Sequence, residues 1–394
     1  MLRVGVIGYL IGGNKDEGET QEIVKSDKDY SHLSDDQLIK LRDQTVKDIA
    51  KFNNFQMVRK ICLNSCYGAI GNAYFRYFKL ANAEAITLSG QTSIRWIEKK
   101  MNGFLNNILK TEDIDYVIAS DTDSIYLNFG PVVDTFLSKK KGNKEEVVDL
   151  VNKICEDQLE PFIDKCYQQL AEYVNAYDQK MQMKRENIAD RGIWTAKKRY
   201  ILNVWDSEGV RYEEPKLKIM GIEAVKSSTP APCRSMIKDA LKLMMEGTEE
   251  DVIDFIENAR RKFYKMTPEE VAFPRSVSDV NKHKNHSTIY GKGCPIHVRG
   301  SLLHNHYVKE KNLTNKYSMI NNGDKIKFVY LKKANPTREN VISFLNDFPV
   351  ELGLGKYIDY ELQFGKAFLE PLKVILDAIN WNVEKTVNLE LFFG

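Results

Sequence analysis

The chain has 394 residues, of which 43% are hydrophobic and 28% charged, and its 57 Lys and Arg nearly balance its 55 Asp and Glu. This composition excludes a disordered or fibrous chain, and the length predicts about two or three domains. Because the net charge is only +2, nucleic-acid binding would need a local basic surface. No apolar run approaches the ~18 residues that span a bilayer.

The first 30 residues carry little structural signal. An apolar run follows Arg3, but no small-residue cleavage site comes after it, so we do not expect a secretion signal. The glycines of the run miss the spacing of a dinucleotide-binding loop. We expect residues 1–30 to form a poorly anchored leader without a regular element. The six cysteines include no C-x-x-C pair, which is typical of reduced cytoplasmic thiols.

Two long helices are predicted next. Ser34 and Gln37 have the spacing of a capping box, and apolar residues then recur at steps of three and four. This pattern predicts a helix over about 35–66 that ends near Gly68. A second helix is expected over 80–110.

The rest of the chain mixes both periods. Short β-rich runs flank residues 121–124 and 206–209, and each pair predicts a hairpin. Helical patterns cover 145–185, 233–246 and 249–265. Pro230 and Pro232 indicate a domain boundary near 226–232.

Asp121 and Asp123 lie at the first predicted hairpin turn. Two neighbouring carboxylates repel each other unless a cation lies between them, and hard oxygen ligands suit Mg²⁺ or Mn²⁺. Most such pairs are solvated turns, and glycosyltransferases also use one to hold a metal. The apolar strands on both sides favour a metal site over a simple exposed turn.

Lys60, Asn64 and Tyr67 are spaced so that all three project from one face of the first helix. An ammonium, an amide and a phenol could together contact a triphosphate and a base. The alternative is a solvated helix face before a glycine stop.

Lys197, Lys198, Arg199 and Tyr200 form a basic cluster that enters a predicted strand. The cluster could contact phosphates or a minor groove, with the tyrosine available to stack. Alternatively, its charges protect an edge strand from pairing with another chain.

These three motifs occur in an order that resembles the signatures of family B DNA polymerases of the T-even-type bacteriophage class. The resemblance covers roughly residues 28–394 and includes Met183 to Glu186, Tyr212 to Gly221 and Cys294 to Gly300. It implies an α+β fold: an incomplete polymerase right hand with a long fingers helix, an antiparallel palm sheet with helices, and a mainly helical thumb. The implied domains are an unmatched leader (1–30), fingers helix (31–75), palm (76–228), thumb (229–386) and clamp-binding tail (387–394).

The resemblance also implies roles for individual residues. Asp121 and Asp123 would be catalytic palm carboxylates that bind metal, with Glu186 a further carboxylate near the metals. Lys60 and Asn64 would contact the incoming triphosphate, and Tyr67 would lie beside the nascent base pair. The implied DNA contacts are Lys197, Lys198, Arg199, Tyr200, His297 and Arg299. The implied sliding-clamp contacts are Leu389, Leu391, Phe392 and Phe393.

One expected part is missing from the sequence. The family's palm needs another carboxylate from an Asp-x-x-Ser-Leu-Tyr-Pro-Ser type motif, and this chain has none. We therefore expect the C-terminal subunit of a split, cytoplasmic polymerase that uses two Mg²⁺ ions. A separate N-terminal chain would supply that aspartate, the other fingers helix and the exonuclease. The alternative is an inactive module that binds primer-template and clamp.

The thumb region contains a basic stretch and a tempting metal pattern. Residues 276–316 carry seven Lys and Arg against two acids, which suits a grip on duplex phosphates. A zinc site from Cys294, His297, His304 and His306 is disfavoured, because the spacing is not that of a finger. A nuclease motif at His304 to His306 is also disfavoured, because its surrounding ligands are absent.

Overall fold

The computed structural model describes residues 4–8, 30, 32–139, 143–285 and 287–383. The chain forms two compact units: unit 1 comprises Met1–Ala189 and Trp205–Glu213, and unit 2 comprises Asp190–Val204 and Glu214–Gly394. Both contain helices and antiparallel strands, which confirms the α+β class. None of the helices in the described part of the chain is long and apolar enough to cross a membrane.

Unit 1 joins two long helices to a sheet and a helical cover. Its elements in chain order are β1 (Val4–Gly8), α1 (Asp35–Ile70), α2 (Leu80–Leu109), β2 (Val117–Asp121), β3 (Ser124–Asn128), α3 (Gly130–Lys139), α4 (Lys144–Ile154), a π-helical turn (Cys155–Leu159), α5 (Glu160–Tyr173) and the start of β4 (Lys184–Ala196). The ends of β5 (Arg199–Ser207) and β6 (Val210–Met220) also belong to this unit.

Helix α1 begins at the predicted capping box. The Ser34 side chain accepts from the Gln37 backbone N–H, and the Gln37 side chain accepts from the Ser34 N–H. The helix has 36 residues and therefore measures about 54 Å. None of its residues is buried. Many of its apolar side chains are consequently exposed: Leu38, Ile39, Leu41, Val46, Ile49, Phe52, Phe55, Met57, Val58, Ile61 and Leu63.

The core of unit 1 lies beneath α2. Ile97, Met101 and Leu105 follow one another at four-residue steps, so one face of α2 is buried against the sheet and α5. Ile125 and Leu127 of β3 lie on the same apolar core and are fully buried. Each such side chain contributes about 1.5–3 kcal/mol by its burial. This packing holds the β2–β3 hairpin in place, and the turn of that hairpin comprises residues 121–124.

The sheet has the strand order β2-β3-β1-β4-β5-β6. Strand β1 pairs antiparallel with β3 on one side and with β4 on the other. The expectation that residues 1–30 hold no regular element is therefore wrong for Val4–Gly8. Val4, Val6 and Ile7 are residue types common in strands, but the two glycines interrupt the run and its pairing partners are far away in sequence.

Unit 2 builds a separate core from the remaining parts of β4, β5 and β6 and from the rest of the chain. Its other elements are α6 (Ala231–Glu246), α7 (Glu249–Phe263), α8 (Pro268–Val271), β7 (Phe273–Ser276), α9 (Val280–His283), β8 (Lys284–Asn285), β9 (Ile289–Tyr290), α10 (Ile296–Glu310), β10 (Lys325–Tyr330), β11 (Val341–Phe344), α11 (Tyr360–Phe364), a π-helical turn (Gly365–Leu369) and α12 (Glu370–Ala378). Strands β11, β10 and β7 form a small antiparallel sheet in that order.

Helix α10 packs very closely on β11. A Cβ atom added to Gly300 would lie 2.4 Å from the Ser343 Oγ and 2.9 Å from the Ser343 backbone nitrogen. Ser343 donates from Oγ to the His297 carbonyl at 2.9 Å across the same contact. Glycine at position 300 therefore permits the approach of helix and strand.

Most predicted elements are confirmed. Both long helices, both hairpins and the helices near 233–246 and 249–265 are present within a few residues of the expected limits. The prediction of helix over 145–185 is wrong in its last part, because α5 ends at Tyr173 and β4 begins at Lys184. The expected fingers, palm and thumb boundaries remain predictions.

Candidate active site

The β2–β3 hairpin brings Asp121 and Asp123 together at a tight turn. Thr122 has a left-handed φ of 56°, and the Asp123 N–H donates to the Asp121 carbonyl at 2.6 Å. The Ser124 hydroxyl donates to the same carbonyl at 3.2 Å, and the Thr122 hydroxyl donates to Asp121 Oδ1 at 3.0 Å. These bonds hold the two carboxylates on a short, ordered loop, as the sequence predicts.

Asn102 of α2 anchors the approach to this hairpin. Its Oδ1 accepts from the backbone N–H groups of Tyr116 and Val117, both at 2.9 Å. Its Nδ2 donates to Asp115 at 2.6 Å. One amide thereby satisfies the backbone just before β2, so the strand enters the sheet in a fixed position.

Glu186 lies at a bulge in β4. Val6 pairs with Asn187 and Ile7 with Arg185, so the register shifts at this point and Glu186 has no opposite residue on β1. The Glu186 carbonyl instead accepts from the Glu208 N–H at 2.6 Å. Bulges re-aim side chains and are common beside active sites.

A buried ion pair supports the strand next to Glu186. Arg185 donates to Asp206, and their side chains are only 6% and 4% exposed. Asp206 also accepts from the Gly209 N–H at 3.1 Å and from Arg211 Nε at 3.3 Å. The Arg185 N–H donates to Glu160 Oε1 at 2.9 Å. Charge-assisted contacts therefore hold the strand at Arg185, immediately before the bulge.

The three carboxylates interact electrostatically. Loss of hydration raises the pKa of Asp123, and the negative charges of Glu186 and Asp121 raise it further. Asp123's own backbone N–H acts in the opposite direction. Such an arrangement favours a divalent cation, which would relieve the repulsion.

The carboxylates do not form a complete metal cage. In the described ranges of the chain, no three His, Cys, Asp or Glu side chains are grouped closely enough to hold a metal ion. The chemistry of Asp121, Asp123 and Glu186 fits Mg²⁺, which takes oxygen ligands and usually binds through one or two carboxylates. The hairpin therefore has the oxygen donors that such an ion prefers.

The residues predicted to contact a triphosphate lie on α1. Lys60 is half-buried, whereas Asn64 and Tyr67 are exposed. The Tyr67 hydroxyl lies 2.8 Å from the Thr87 hydroxyl of α2, so it links the two long helices. The three side chains share a helix face as expected, and their roles remain predictions.

The basic cluster forms the β4–β5 turn in unit 2. Lys197 and Lys198 are exposed there, and Lys198 has a left-handed φ of 60°. Arg199 donates to Glu223 through both terminal nitrogens, at 2.7 and 3.1 Å. Tyr200 is buried, 7% exposed, with its ring 6.1 Å from that of Trp194.

The structure bears on two expectations for this cluster. The strand that follows the turn, β5, lies between β4 and β6, so the cluster does not protect a sheet edge. Tyr200 is only 7% exposed, so little of its ring is open for stacking on a base, and its contact with DNA stays a prediction. The lysines of the turn remain the accessible candidates for phosphate contact.

Comparison with known proteins identifies the family. A sequence model described as DNA polymerase family B matches residues 36–170 and 155–379. The chain belongs to DNA polymerase family B. The resemblance inferred from the motifs is thus confirmed.

Two curated relatives carry the description DNA-directed DNA polymerase. The relative from Enterobacteria phage T4 is 31% identical over 392 residues, which cover 95% of this chain and 43% of the relative. The relative from Escherichia phage RB69 is 35% identical over 347 residues, covering 85% of this chain and 38% of the relative. The chain therefore spans less than half the length of these family B polymerases.

His297 and Arg299, which we expect to contact DNA, lie on α10. The Arg299 guanidinium donates to Asn340 Oδ1 at 2.5 Å and lies 5.5 Å from the centre of the Tyr290 ring. His297 is half-buried, and burial together with the charge of Arg275 lowers its pKa. A neutral His297 and an internally bonded Arg299 offer less charge to a phosphate than their sequence suggests.

Two further expectations concern the C-terminal part of this family B chain. His304 is buried and its Nε2 lies 3.1 Å from the Ser318 carbonyl, and the described residues show no metal group around Cys294 and the histidines. The predicted clamp contacts, Leu389, Leu391, Phe392 and Phe393, lie outside the described residues.

Sequence reasoning missed the residues that support the acidic site of this polymerase chain. Arg185, Asp206 and Asn102 are ordinary polar residues in sequence, and only the fold brings each to its partner. Asp206 carried one usable signal: it lies three residues after Asn203 on a strand otherwise rich in apolar residues. A carboxylate on such a strand needs a cationic partner when it is buried.

Proposed function

We propose that this chain is the C-terminal subunit of a split family B DNA polymerase. Joined to a complementary chain, it adds deoxynucleotides to a primer 3′ end by two-metal phosphoryl transfer. The observation that supports this most strongly is the acidic hairpin of Asp121 and Asp123, which interacts with Glu186 and yet lacks a complete metal cage. Family membership supplies the reaction class.

In this proposal the hairpin carboxylates and Glu186 hold two Mg²⁺ ions together with an aspartate from the complementary chain. Bound to these carboxylates, Mg²⁺ would activate the primer 3′-hydroxyl and offset the negative charge of the leaving pyrophosphate. Burial and the negative charges of Glu186 and Asp121 raise the pKa of Asp123. A bound cation would offset this repulsion between the carboxylates.

The remaining groups bind and orient substrates. Lys60 and Asn64 contact the incoming triphosphate, and Tyr67, fixed by Thr87, lies beside the nascent base pair. Lys197 and Lys198 contact primer phosphates from their exposed turn. In this scheme α1 belongs to the fingers, the six-stranded sheet to the palm, and most of unit 2 to the thumb.

Helix α1 supports the need for a complementary chain. It carries exposed apolar side chains along its whole length, among them Phe52, 65% exposed, and Val58, 58% exposed. Soluble chains rarely leave so much contiguous apolar surface uncovered. A second helix packed along α1 would bury it, as in an obligate interface.

The C-terminal tail completes the proposal. Leu389, Leu391, Phe392 and Phe393 form an apolar peptide with two aromatic anchors, a composition suited to a sliding-clamp pocket. Deleting residues 389–394 should reduce only the clamp-dependent length of product. An equal loss without clamp would assign the tail to the thumb core.

A second candidate is an inactive module that grips primer-template and clamp. The observation in its favour is that no ready-made metal group exists within the described residues. It differs from the first proposal in one respect, which is whether any partner restores synthesis.

Primer extension with Mg²⁺ and four deoxynucleotides tests both candidates. The chain is assayed alone and mixed with the complementary polymerase chain encoded in the same genome. We expect synthesis only in the mixture. Synthesis by this chain alone would refute the shared site, and DNA binding without synthesis in either case would favour the inactive module.

Substitutions in the mixture then assign residues. Asp123→Ala should reduce incorporation by at least a hundredfold with DNA binding retained, whereas Asp164→Ala, on the exposed face of α5, serves as the matched control. Lys60→Ala should raise the apparent KM for nucleotides, with Lys40→Ala on the same helix as its control. Equal effects within either pair would refute the assignment.

A further inference from the structure

Helices α2 and α5 of unit 1 border a groove that the proposed reaction does not use. Its lining runs from Trp96 to Asn107 on α2 and from Phe162 to Gln169 on α5, and its volume is about 560 Å³. The two walls are joined, because Trp96 Nε1 donates to the Cys166 carbonyl at 2.9 Å. Over its part of the lining α2 rises about 17 Å, so the groove is about three helical turns long.

The floor of the groove is aromatic, and its rings already have partners. Phe104 of α2 and Phe162 of α5 stack with their ring centres 4.1 Å apart. The Trp96 ring stacks on Tyr173 at 6.0 Å between centres, and the Lys100 ammonium lies 4.8 Å from the Trp96 ring centre. A nucleobase would have to displace these partners before it could stack. The three half-buried rings of the floor are better suited to contact aliphatic side chains with their edges.

Gly103 opens a notch in the middle of the α2 wall. The residue is exposed, and a Cβ atom added to it would meet nothing within 4 Å apart from the backbone of its own helix. Glycine weakens a helix interior relative to alanine, and the packing of α2 does not require it at this position. The missing side chain leaves room for an aliphatic side chain of a partner.

Positive charge borders the groove on both sides. Lys99 and Lys100 line it from α2 and Lys165 lines it from α5, whereas the described residues of the lining include no carboxylate. Burial raises the pKa of the Cys166 thiol, and the charges of Lys100 and Lys165 lower it, so both helices contribute to the potential inside the groove. Such a potential attracts an anionic partner and repels a cationic one.

We propose that the groove between α2 and α5 binds an acidic amphipathic helix of a partner protein. Aliphatic side chains on one stripe of that helix pack over Gly103 and against the aromatic edges. Its Asp and Glu side chains pair with Lys99, Lys100 and Lys165. A helix of about 12 residues matches the length of the groove. The inference does not depend on the split polymerase, because every residue that it uses lies within unit 1.

Binding of a designed peptide tests the groove. The probe is a fluorescent peptide of about 12 residues with leucines at helical spacing and glutamates elsewhere. Its control carries glutamine in place of every glutamate. We expect fluorescence anisotropy to show that the chain binds the acidic peptide at least about tenfold more tightly than the control, with an affinity that falls as salt is added.

Substitutions locate the binding. Lys99→Glu combined with Lys165→Glu should weaken binding of the acidic peptide by at least about tenfold. Lys153→Glu combined with Lys238→Glu changes the net charge equally at exposed sites outside the groove and should leave binding near wild type. Gly103→Leu fills the notch and raises the helix propensity of α2, so binding should weaken while the fold is retained. Circular dichroism checks that each variant is folded.

Three results would overturn the proposal. The first is undetectable binding of the acidic peptide, or equal binding of the two peptides. The second is an equal loss in the two lysine double variants. The third concerns a thymidine oligonucleotide used as a second probe: tighter binding of the oligonucleotide than of the acidic peptide, lost in the Lys99→Glu, Lys165→Glu variant, would assign the groove to single-stranded nucleic acid.

Discussion

The buried pair of Arg185 and Asp206 offers the sharpest test of how the acidic site is held. Replacing Asp206 by alanine removes the counter-ion of a guanidinium that is only 6% exposed. It also removes the acceptor of the Gly209 N–H. We expect this change to destabilise unit 1 strongly and to disturb the strand that presents Glu186.

The magnitude follows from the burial of both groups. Breaking a buried ion pair by removal of one partner costs about 3–5 kcal/mol, because an uncompensated charge stays in the core. Arg211 provides an internal comparison, since it also pairs with Asp149 at 2.8 Å and Asp149 is 71% exposed. An exposed pair of that kind contributes about 1 kcal/mol or less. Asp206→Ala should therefore cost at least three times as much as Asp149→Ala.

Hydrogen exchange resolved by peptide is the suitable assay, because the chain has two units and a single unfolding free energy is not defined for it. Protection in β3 and β4 should fall for Asp206→Ala and stay near wild type for Asp149→Ala. The double variant Arg185→Met, Asp206→Leu removes both charges and should regain most of the protection. Equal losses for Asp206→Ala and Asp149→Ala would refute the reasoning.

Three further predictions address other parts of the chain. Asn102→Ala leaves the N–H groups of Tyr116 and Val117 without their acceptor, so the stability of unit 1 should fall by about 2–3 kcal/mol. Hydrogen exchange in β2 should become faster, and unchanged exchange would contradict the anchor role of Asn102. Gly300→Ala places a Cβ 2.4 Å from the Ser343 Oγ and should destabilise unit 2 by about 1–3 kcal/mol in urea unfolding, with an unaltered midpoint counting against the close packing. Asp123→Asn should raise the melting temperature at pH 7, because the pKa of Asp123 is raised in the folded state and its ionised form therefore costs stability. The gain should vanish below the ordinary pKa of 3.8, and a gain that persists there would refute the electrostatic cause.

Local patterns predicted the helices and hairpins of this chain well, because each is fixed by residues close in sequence. The capping box of α1 and the turn at Asp121 to Ser124 are complete within four residues. The β1 strand could not be predicted, because its partners lie more than 100 residues away and its five residues have no alternation to read. The end of the helical stretch at Tyr173 was also missed, because β4, the strand that follows, pairs with residues far away in sequence.

The candidate site divides in the same way. Spacing placed Asp121 and Asp123 on one turn and Lys60, Asn64 and Tyr67 on one helix face, whereas the family resemblance implied their roles. Spacing did not indicate the burial of Tyr200 or the internal bond of Arg199 to Glu223, since both depend on what unit 2 packs against them. A basic run has the same sequence pattern whether its side chains face solvent or pair with a carboxylate. Only tertiary contacts distinguish the two cases.

The exposed length of α1 bears on how this chain must be made in the cell. A helix of about 54 Å with apolar residues on its surface will associate with other copies of itself wherever a covering helix is scarce. Such association grows with concentration, so surplus chain is prone to aggregation and to capture by chaperones and proteases. For the proposed split polymerase, synthesis of this chain in step with its complement would limit that association.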